Sequence, residues 1–307
     1  MRKAIVTGAT GFVGSYLVKQ LHESGYQVCA FVRCEQSVPI LPFAQEVTVV
    51  PCRLSEYKSA TTSQLLSKFQ GAEVFFHLAW EGSAGEKRSD YALQLENVKH
   101  TCDAVRLASE LGCGRFVGAG SIMEDEMQHS LPRDEAIPVS TYHYSSAKYA
   151  AFLMAKTVAA RNHISFLWGK ISNAYGALDP TARFVNTMMR KMLDNQPCRL
   201  SPCTQLYDFI YVSELARAFH LIGEKGIPGK AYYIGSGRTR PLKEFVEIIR
   251  VSTATKSDIQ YGALPGGISL DESCFDSRKL MMDTGFQCEI DFASGIRRAL
   301  ESFSWRT

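Results

Sequence analysis

The chain has 307 residues, of which 46% are hydrophobic and 21% are charged, and its formal net charge is +3. These values provide ample material for a core, in one large domain or in two smaller ones that share a cleft. A charge this close to neutral, without a long run of Lys or Arg, argues against a nucleic-acid-binding or membrane-surface protein.

The N-terminal residues and the cysteines bear on the cellular compartment. The chain opens on a strand-like run at Lys3 and shows none of the features of a signal peptide. No window approaches the roughly 18 apolar residues of a membrane span. The nine cysteines are scattered and form no C-x-x-C pair, which argues against a zinc or dithiol site. We therefore predict a cytoplasmic protein with reduced thiols and without a metal site.

Short apolar runs alternate with helical patterns in the N-terminal half. Strands are predicted, in chain order, at Lys3–Thr7, Gln27–Arg33, Val47–Val50, Val74–Leu78, Arg115–Ala119 and Ile164–Trp168. Helices are predicted at residues 13–22, 90–111 and 141–162. Apolar strands joined by helices of this length are typical of right-handed βαβ units. The pattern predicts an α/β fold with a doubly wound parallel Rossmann sheet.

The pattern changes beyond residue 176. Prolines such as Pro197, Pro202 and Pro228 divide this part of the chain into short elements. We interpret residues 1–172 as a dinucleotide-binding domain. Residues 173–307 are then a smaller C-terminal substrate-binding region, part of which returns to the sheet.

A glycine-rich loop, T-G-A-T-G-F-V-G, begins at Thr7 and follows the first predicted strand. Gly8 permits a tight turn, Gly11 lets the backbone approach a pyrophosphate, and Gly14 lets helix and strand pack closely. The helix N-terminus then offers free N–H groups and a partial positive charge to phosphates. The position of the loop between a strand and a helix favours a dinucleotide site over an ordinary βα turn.

Arg33 stands at the end of the second strand, where a carboxylate usually binds the adenosine ribose. An arginine can pair with a 2′-phosphate, whereas a carboxylate would repel it. We therefore predict that NADP(H) is preferred, with NAD(H) as the alternative cofactor. The other interpretation is that Arg33 stacks on the adenine or points to solvent. Arg53, after the third strand, is a second candidate near the adenine.

Tyr144 and Lys148 form the one Y-x-x-x-K pattern of the chain, in the helix predicted after the fifth strand. Their i to i+4 spacing places both side chains on one helical face. A free phenol has a pKa near 10, and a neighbouring ammonium group lowers it, which suits proton transfer near neutral pH. Ser121, at the end of the fifth strand, can donate a hydrogen bond to a developing alkoxide. The alternatives are a chance helix pair and a helix or turn cap.

Together these residues resemble the extended short-chain dehydrogenase/reductase family, of the NAD-dependent epimerase/dehydratase type. The resemblance extends over nearly the whole chain. Asn97 matches an asparagine of the family's helix after strand four. Further similar segments are His77-Leu78-Ala79, Ser172–Gly176, Asp208–Val212, Tyr233–Gly237 and Asp276–Lys279.

The resemblance implies a nicotinamide cofactor, a nucleotide sugar in the cleft, and a homodimer formed by the helices near 90–111 and 141–162. Cofactor contacts are expected from the loop and the strand ends: Gly8, Thr10, Gly11, Phe12, Val13, Gly14, Arg33, Arg53, Leu54, Leu78, Ala79, Asn97, Tyr144, Lys148 and Ile171. Substrate contacts are expected from Trp80, Ser121 and Asn173, although core or rim packing is the alternative for Trp80.

The sequence departs from the family pattern at three places. Ile122 and Met123 stand where the family's dehydratases have an Asp-Glu pair, which disfavours a 4,6-dehydratase. Tyr207 stands where an arginine often grips the pyrophosphate, and residues 264–270 contain no arginine. Three arginines are candidates to replace these two: Arg183, Arg199 and Arg238. If none does, the substrate is not a standard diphosphate sugar.

These observations predict a 4-keto-sugar reductase in which NADPH supplies hydride and Tyr144 the proton. The alternative is an NAD-dependent sugar-nucleotide 4-epimerase, which oxidises C4 and returns the hydride to the other face. A non-catalytic dinucleotide sensor is disfavoured because Tyr144 and Lys148 are both present.

Overall fold

The computed structural model describes residues 2–34, 43–62, 67–130, 142–177, 179, 181–266 and 269–303. The predicted helix start at residue 141 lies outside these ranges. No helix within them is long and apolar enough to cross a membrane.

The centre of the molecule is a seven-stranded parallel sheet. In chain order its strands are β1 (Lys3–Thr7), β2 (Gln27–Val32), β3 (Thr48–Pro51), β4 (Val74–His77), β5 (Arg115–Ser121), β6 (Ser165–Ile171) and β11 (Ala231–Ile234). Their spatial order is β11-β6-β5-β4-β1-β2-β3. The order reverses direction beside β1, and ligands of doubly wound sheets bind at the carboxyl ends of the strands near such a reversal.

Nine α-helices lie within the described ranges. They are α1 (Phe12–Glu23), α2 (Tyr91–Glu110), α3 (Met123–Ser130), α4 (Tyr142–Arg161), α5 (Phe184–Leu193), α6 (Val212–Lys225), α7 (Leu242–Thr253), α8 (Arg278–Thr284) and α9 (Phe292–Phe303). The described ranges also contain three 3₁₀ helices, at Leu54–Thr62, Glu86–Ser89 and Glu272–Phe275.

Both faces of the sheet are covered by helices. Helices α1 and α6 bury one face, where Val6, Val117 and Phe219 share one apolar cluster. Helices α2 and α4 bury the other face, around Phe75, Phe116 and other residues. Because apolar side chains point to both faces, the strands appear in the sequence as continuous apolar runs.

A third apolar cluster lies in the C-terminal region, where α5, α7 and α9 enclose Met189, Phe209 and Phe245. Three short strand pairs tie this region together: β7 (Asn173–Tyr175) with β10 (Phe209–Tyr211), β8 (Cys198–Arg199) with β13 (Ile259–Gln260), and β9 (Leu206–Tyr207) with β12 (Arg240–Pro241). The cluster supports residues that stand beyond the carboxyl edge of the sheet.

The predicted doubly wound α/β fold is confirmed. Strand β1 has the predicted bounds, whereas β5 and β6 continue past their predicted ends to Ser121 and Ile171. Helix α3 and strand β11 are absent from the predicted elements. The division at residue 172 remains a prediction, although Ala231–Ile234 does pair with β6.

Candidate active site

A cavity of about 410 Å³ lies at the carboxyl edge of the sheet. Most of the predicted cofactor residues line it: Gly8, Thr10, Gly11, Phe12, Val13, Gly14, Arg33, Leu54, Leu78, Ala79, Tyr144, Lys148 and Ile171. The predicted substrate residue Trp80 lines it as well. The fold therefore brings segments separated by more than a hundred residues to one cavity.

The glycine loop has no room for a side chain at Gly8 or at Gly14. Gly8 has a φ of +67°, and a Cβ at this residue would lie 2.7 Å from the backbone nitrogen of Ala79. A Cβ at Gly14 would lie 2.0 Å from the carbonyl oxygen of Gly8. Helix α1 begins after Gly11 without a side-chain cap, so its first N–H groups are not satisfied by a capping side chain. These residues fit a dinucleotide pyrophosphate.

Arg33 and Arg53 are placed differently. Arg33 lines the cavity directly after β2, beside Cys52 and Leu54. The Arg53 side chain is not part of the cavity lining, and its backbone N–H donates to the Glu56 carboxylate at 2.6 Å. Of the two predicted arginines, Arg33 is therefore the one in a position to meet a group bound in the cavity.

A buried polar network holds the loop that follows β4. The Thr7 hydroxyl lies 2.9 Å from Nδ1 of His77 and accepts the N–H of Ala79 at 3.3 Å. Asn97 is buried and binds both backbone groups of Glu81, at 2.9 and 2.8 Å. Asn97 therefore positions the loop and does not itself line the cavity.

His77 lies in this network without the features of a metal ligand. Burial lowers the pKa of His77 to about 3, with a smaller contribution from Lys148. The side chain is therefore neutral at physiological pH. The described residues hold no group of three or more side chains suited to a metal ion.

Ser121, Tyr144 and Lys148 meet beside the cavity. The Ser121 side chain lies close enough to the Tyr144 phenol to lower the pKa of that phenol. Nζ of Lys148 lies 6.0 Å from the centre of the Tyr144 ring and donates to the carbonyl of Ala119 at 2.8 Å. A hydroxyl, a phenol and an amine thus lie near one another at the edge of the cavity, the combination of groups that proton transfer to a carbonyl oxygen requires.

Lys148 is enclosed by neighbouring groups. Its Nζ lies 3.6 Å from the centre of the Trp80 ring, and the Trp80 indole donates to Gln94 at 2.9 Å. Burial lowers the pKa of Lys148, and the Glu124 carboxylate opposes this effect. Trp80 therefore contacts Lys148 directly.

Ser121 also caps a helix. Its hydroxyl accepts the N–H of Met123 at 3.2 Å, and the Glu124 carboxylate accepts the N–H of Ser121 at 2.7 Å. This reciprocal arrangement is that of a capping box. Glu124 also accepts the indole N–H of Trp168 at 3.2 Å. Both roles considered for Ser121, hydrogen-bond donor at the site and cap, are compatible in one side chain.

Tyr144 also lies against a cation that sequence reasoning missed. The central carbon of the Arg88 guanidinium lies 4.4 Å from the centre of the Tyr144 ring, closer than Nζ of Lys148. Burial raises the pKa of Tyr144, whereas Arg88, Ser121 and Arg183 lower it. No motif marks Arg88, because its contact with Tyr144 spans 56 positions in the chain.

A second cavity, the C-terminal groove, is defined by Phe184, Lys191, Arg199 and Tyr207 among its lining residues and has a volume of about 480 Å³. Helix α5 begins after Arg183 without a side-chain cap, and Phe184, in its first turn, lines the groove. The groove thus combines an uncapped helix N-terminus with two basic lining residues, Lys191 and Arg199, and this combination suits an anionic ligand.

The three candidate arginines have separate places. Arg183 lines the cofactor cavity while Ala182 and Phe184 line the groove, so the two cavities adjoin at this residue. Arg199 lines the groove itself, and Arg238 lines a third cavity. The predicted substrate residue Asn173 lines none of the three, and its amide donates to the carbonyl of Asp208 at 3.2 Å.

The chain is similar to known proteins both in sequence and in structure. CDP-abequose synthase of Salmonella muenchen is 23% identical to this chain, and the alignment covers 97% of each protein. The UDP-glucose 4-epimerase of Thermotoga maritima, solved with UDP-glucose, superimposes with a TM-score of 0.79 at 19% identity and 99% coverage of both chains.

The UDP-glucuronic acid 4-epimerase of Bacillus cereus, solved with UDP-glucuronic acid and NAD, superimposes with a TM-score of 0.78 at 17% identity, covering 99% of this chain and 100% of that one. A model of the NAD dependent epimerase/dehydratase family matches residues 4–235. The chain therefore belongs to the NAD dependent epimerase/dehydratase family, whose enzymes are of the extended short-chain dehydrogenase/reductase type.

Proposed function

We propose that this enzyme is an NADPH-dependent reductase of a 4-keto nucleotide sugar. The observation that carries the proposal is the cluster of Ser121, Tyr144 and Lys148 beside a cavity that Arg33 also lines. A bound nicotinamide supplies the hydride in such a reaction. The roles of the side chains around the substrate follow from their chemistry.

Tyr144 donates the proton to the carbonyl oxygen as that oxygen becomes a hydroxyl group. The neighbouring Ser121 donates to the same oxygen and stabilises the charge that develops there. Lys148 donates to the carbonyl of Ala119, and because burial lowers its pKa to about 7 it can exchange a proton near neutral pH beside the phenol. Together they supply the proton and the electrostatic stabilisation that hydride addition requires.

The preference for NADPH rests on Arg33. Its guanidinium would form charge-assisted hydrogen bonds to a 2′-phosphate, and Arg33 stands directly after β2, where a carboxylate usually binds the ribose diol of NAD. Arg53 lies outside the cavity lining and does not serve this purpose.

The C-terminal groove is proposed to hold the nucleoside diphosphate. Arg199 and Lys191 provide positive charge, and Phe184 and Tyr207 provide aromatic surface for a base. Arg199 thereby replaces the arginine that the family often has at the position of Tyr207. Because the groove adjoins the cofactor cavity at Arg183, a sugar linked to the diphosphate would extend toward Tyr144.

A 4,6-dehydratase is disfavoured because Glu124 and Asp125, the acids that directly follow Ile122 and Met123 in the chain, are already paired with other groups. Glu124 accepts hydrogen bonds from the Ser121 N–H and the Trp168 indole, and Asp125 is paired with Lys170 at 2.7 Å. Elimination needs an acid and a base that are free to act on the sugar. An NAD-dependent 4-epimerase is the second candidate, because the matching family model includes epimerases and the Ser-Tyr-Lys cluster serves both reactions.

A homodimer is proposed through α2 and α4, which pack against each other. They expose large apolar side chains, including Leu95 at 62% and Met154 at 54% exposure. Exposed apolar residues on adjoining helices suit a second copy of the chain. Light scattering on the double variant Leu95→Lys/Met154→Lys is expected to show a monomer where the wild type shows a dimer.

The decisive experiment compares NADPH and NADH binding to the wild type, Arg33→Ala and Arg53→Ala, after a check for cofactor already bound. The wild type is expected to bind NADPH at least about tenfold more tightly, since a hydrogen bond to a charged group contributes roughly 1.5–3 kcal/mol. Arg33→Ala removes the discrimination, and Arg53→Ala, the matched control, retains it.

The second step measures NADPH oxidation with CDP-, UDP- and dTDP-linked 4-keto sugars. Turnover that requires Tyr144 supports the reductase. If NAD copurifies with the protein and NADPH binds poorly, the assignment of Arg33 is wrong and the 4-epimerase replaces the reductase.

A further inference from the structure

Arg88 lies in the 3₁₀ segment Glu86–Ser89, outside every motif of the family pattern described above. The central carbon of its guanidinium lies 4.4 Å from the centre of the Tyr144 ring. Its Nε is buried and has no hydrogen-bond partner within the described chain. A buried, unpaired guanidinium nitrogen is costly, so its place over a phenol ring calls for a physical reason.

The segment that carries Arg88 is anchored on both sides. The Gln94 amide donates to the carbonyl of Lys87 at 3.0 Å, and Nδ1 of His143 donates to the carbonyl of Ser89 at 2.8 Å. His143 directly precedes Tyr144 in helix α4. The backbone on either side of Arg88 is therefore tied to the two helices α2 and α4, and the guanidinium is held against the ring.

We propose that Arg88 is a positioning residue of the catalytic centre, whose guanidinium stacks on Tyr144, fixes the ring beside Ser121 and stabilises its phenolate. A cation over the face of an aromatic ring is attracted by the ring electrons, and the attraction increases when the ring oxygen becomes negative. The inference rests on the proposed role of Tyr144 as the proton donor.

Other charged groups also face Tyr144. Arg183, at the start of α5, acts in the same direction as Arg88, and the buried Glu124 acts in the opposite direction. Lys148, on the same helix as Tyr144, lies 6.0 Å from the ring centre. Burial raises the pKa of Tyr144, and Arg88 makes the largest charge contribution against it. Loss of Arg88 is therefore expected to raise this pKa further.

The test reads the ionisation of this one phenol without a substrate. A ring-fluorinated tyrosine is placed at position 144 of the full-length protein, and its fluorine NMR shift is followed against pH. The fluorine also lowers the phenol pKa, which keeps the titration below strongly alkaline pH. The variants are Arg88→Met, which keeps the length and removes the charge, Arg88→Lys, which keeps a charge, and the control Arg106→Met on exposed α2 surface.

We expect Arg88→Met to raise the titration midpoint by about one pH unit, as for loss of a neighbouring opposite charge. Arg88→Lys is expected to restore at least half of the shift, and Arg106→Met to leave the midpoint unchanged. An unchanged midpoint in Arg88→Met overturns the proposal. Equal shifts in Arg88→Met and Arg88→Lys also overturn it, because packing rather than charge would then be responsible.

This outcome is independent of the cofactor and substrate assignments. If the enzyme proves to be an NAD-dependent 4-epimerase, the expected shift of the Tyr144 midpoint is the same. A failed NADPH assay with a shifted midpoint contradicts only the proposed function, and the reverse result contradicts only the role of Arg88.

Discussion

The cofactor cavity and the C-terminal groove are built by different means. The cofactor cavity depends on backbone atoms in close approach, as where the missing Cβ of Gly14 leaves room for the carbonyl of Gly8. The groove depends on single side chains, such as Lys191, Arg199 and Tyr207, that come from different short elements.

This difference in construction explains why the sequence predicts the ligand of the cofactor cavity but not the ligand of the groove. A site formed by backbone is recorded in the spacing of a few adjacent glycines, because only glycine permits the approach. A site formed by side chains depends on which distant segments fold together, and each of its residues has other common roles. If the two cavities are independent in this way, a substitution in one leaves ligand binding in the other unchanged.

The largest effect is expected on kcat, from a substitution of Tyr144 in the cofactor cavity. Replacing Tyr144 with Phe removes the proton donor and is expected to lower kcat by a factor of about 10²–10⁴. Cofactor affinity should stay within about threefold of the wild type, since the ring and its packing remain. Steady-state kinetics and cofactor titration check this, with Tyr149→Phe in the same helix as the control. Activity above a tenth of the wild type in Tyr144→Phe contradicts the assignment.

The glycine loop is expected to tolerate no methyl group. In Gly14→Ala the new Cβ would meet the carbonyl oxygen of Gly8 at 2.0 Å, so the loop must shift. We expect a loss of about 3 kcal/mol in the free energy of unfolding, at the upper end for overpacking, together with weaker cofactor binding. Urea unfolding and cofactor titration measure both. Gly266→Ala is the control because a Cβ there meets nothing within 4 Å.

Nucleotide binding in the groove is expected to depend on the single side chain of Arg199. Arg199→Ala should weaken the binding of UDP and CDP by about thirtyfold, or about 2 kcal/mol, as for a hydrogen bond to a charged group. Cofactor affinity should not change if the two cavities are independent. Calorimetry with each nucleotide tests this, and Arg238→Ala, in the third cavity, serves as the matched control. Equal losses in both variants would mean that general charge, not the groove, binds the nucleotide.

The smallest effect is expected on the pH dependence of the free energy of unfolding, through His77 in the buried network beside the cofactor cavity. The pKa of His77 is lowered to about 3 by burial, whereas an unfolded histidine has a pKa near 6.5. Its neutral form is favoured by folding, so the associated stability is present above about pH 6.5 and is lost as the pH falls toward 3.

Urea unfolding of the wild type and of His77→Gln checks this sign. The stability of the wild type relative to the variant should decrease by about 1 kcal/mol for each pH unit below 6.5. The exposed His163→Gln is the control and should track the wild type. A difference that does not vary with pH would show that His77 is not the group that titrates.

Tyr144 and Lys148 show what a spacing motif predicts and what it does not. Tyr144 and Lys148 are identified by their spacing and by their place after the fifth predicted strand, and in the structure both line the cavity. The cation nearest the Tyr144 ring is nevertheless Arg88, and Ser121 is at once a cap and a neighbour of Tyr144. Spacing on one helix predicts which side chains share a face, but not which loop packs against that face.

The amino-acid sequence by itself determined the α/β architecture, the dinucleotide loop and the Tyr-Lys pair. Each is encoded by residues close together in the chain, through apolar periodicity, glycine spacing or a single helical turn. Only the tertiary structure decided that Arg88 covers Tyr144, that Arg199 lines the groove in place of Arg238, and that Asn97 holds a loop. These contacts join segments far apart in sequence, and packing of the whole chain sets their distances.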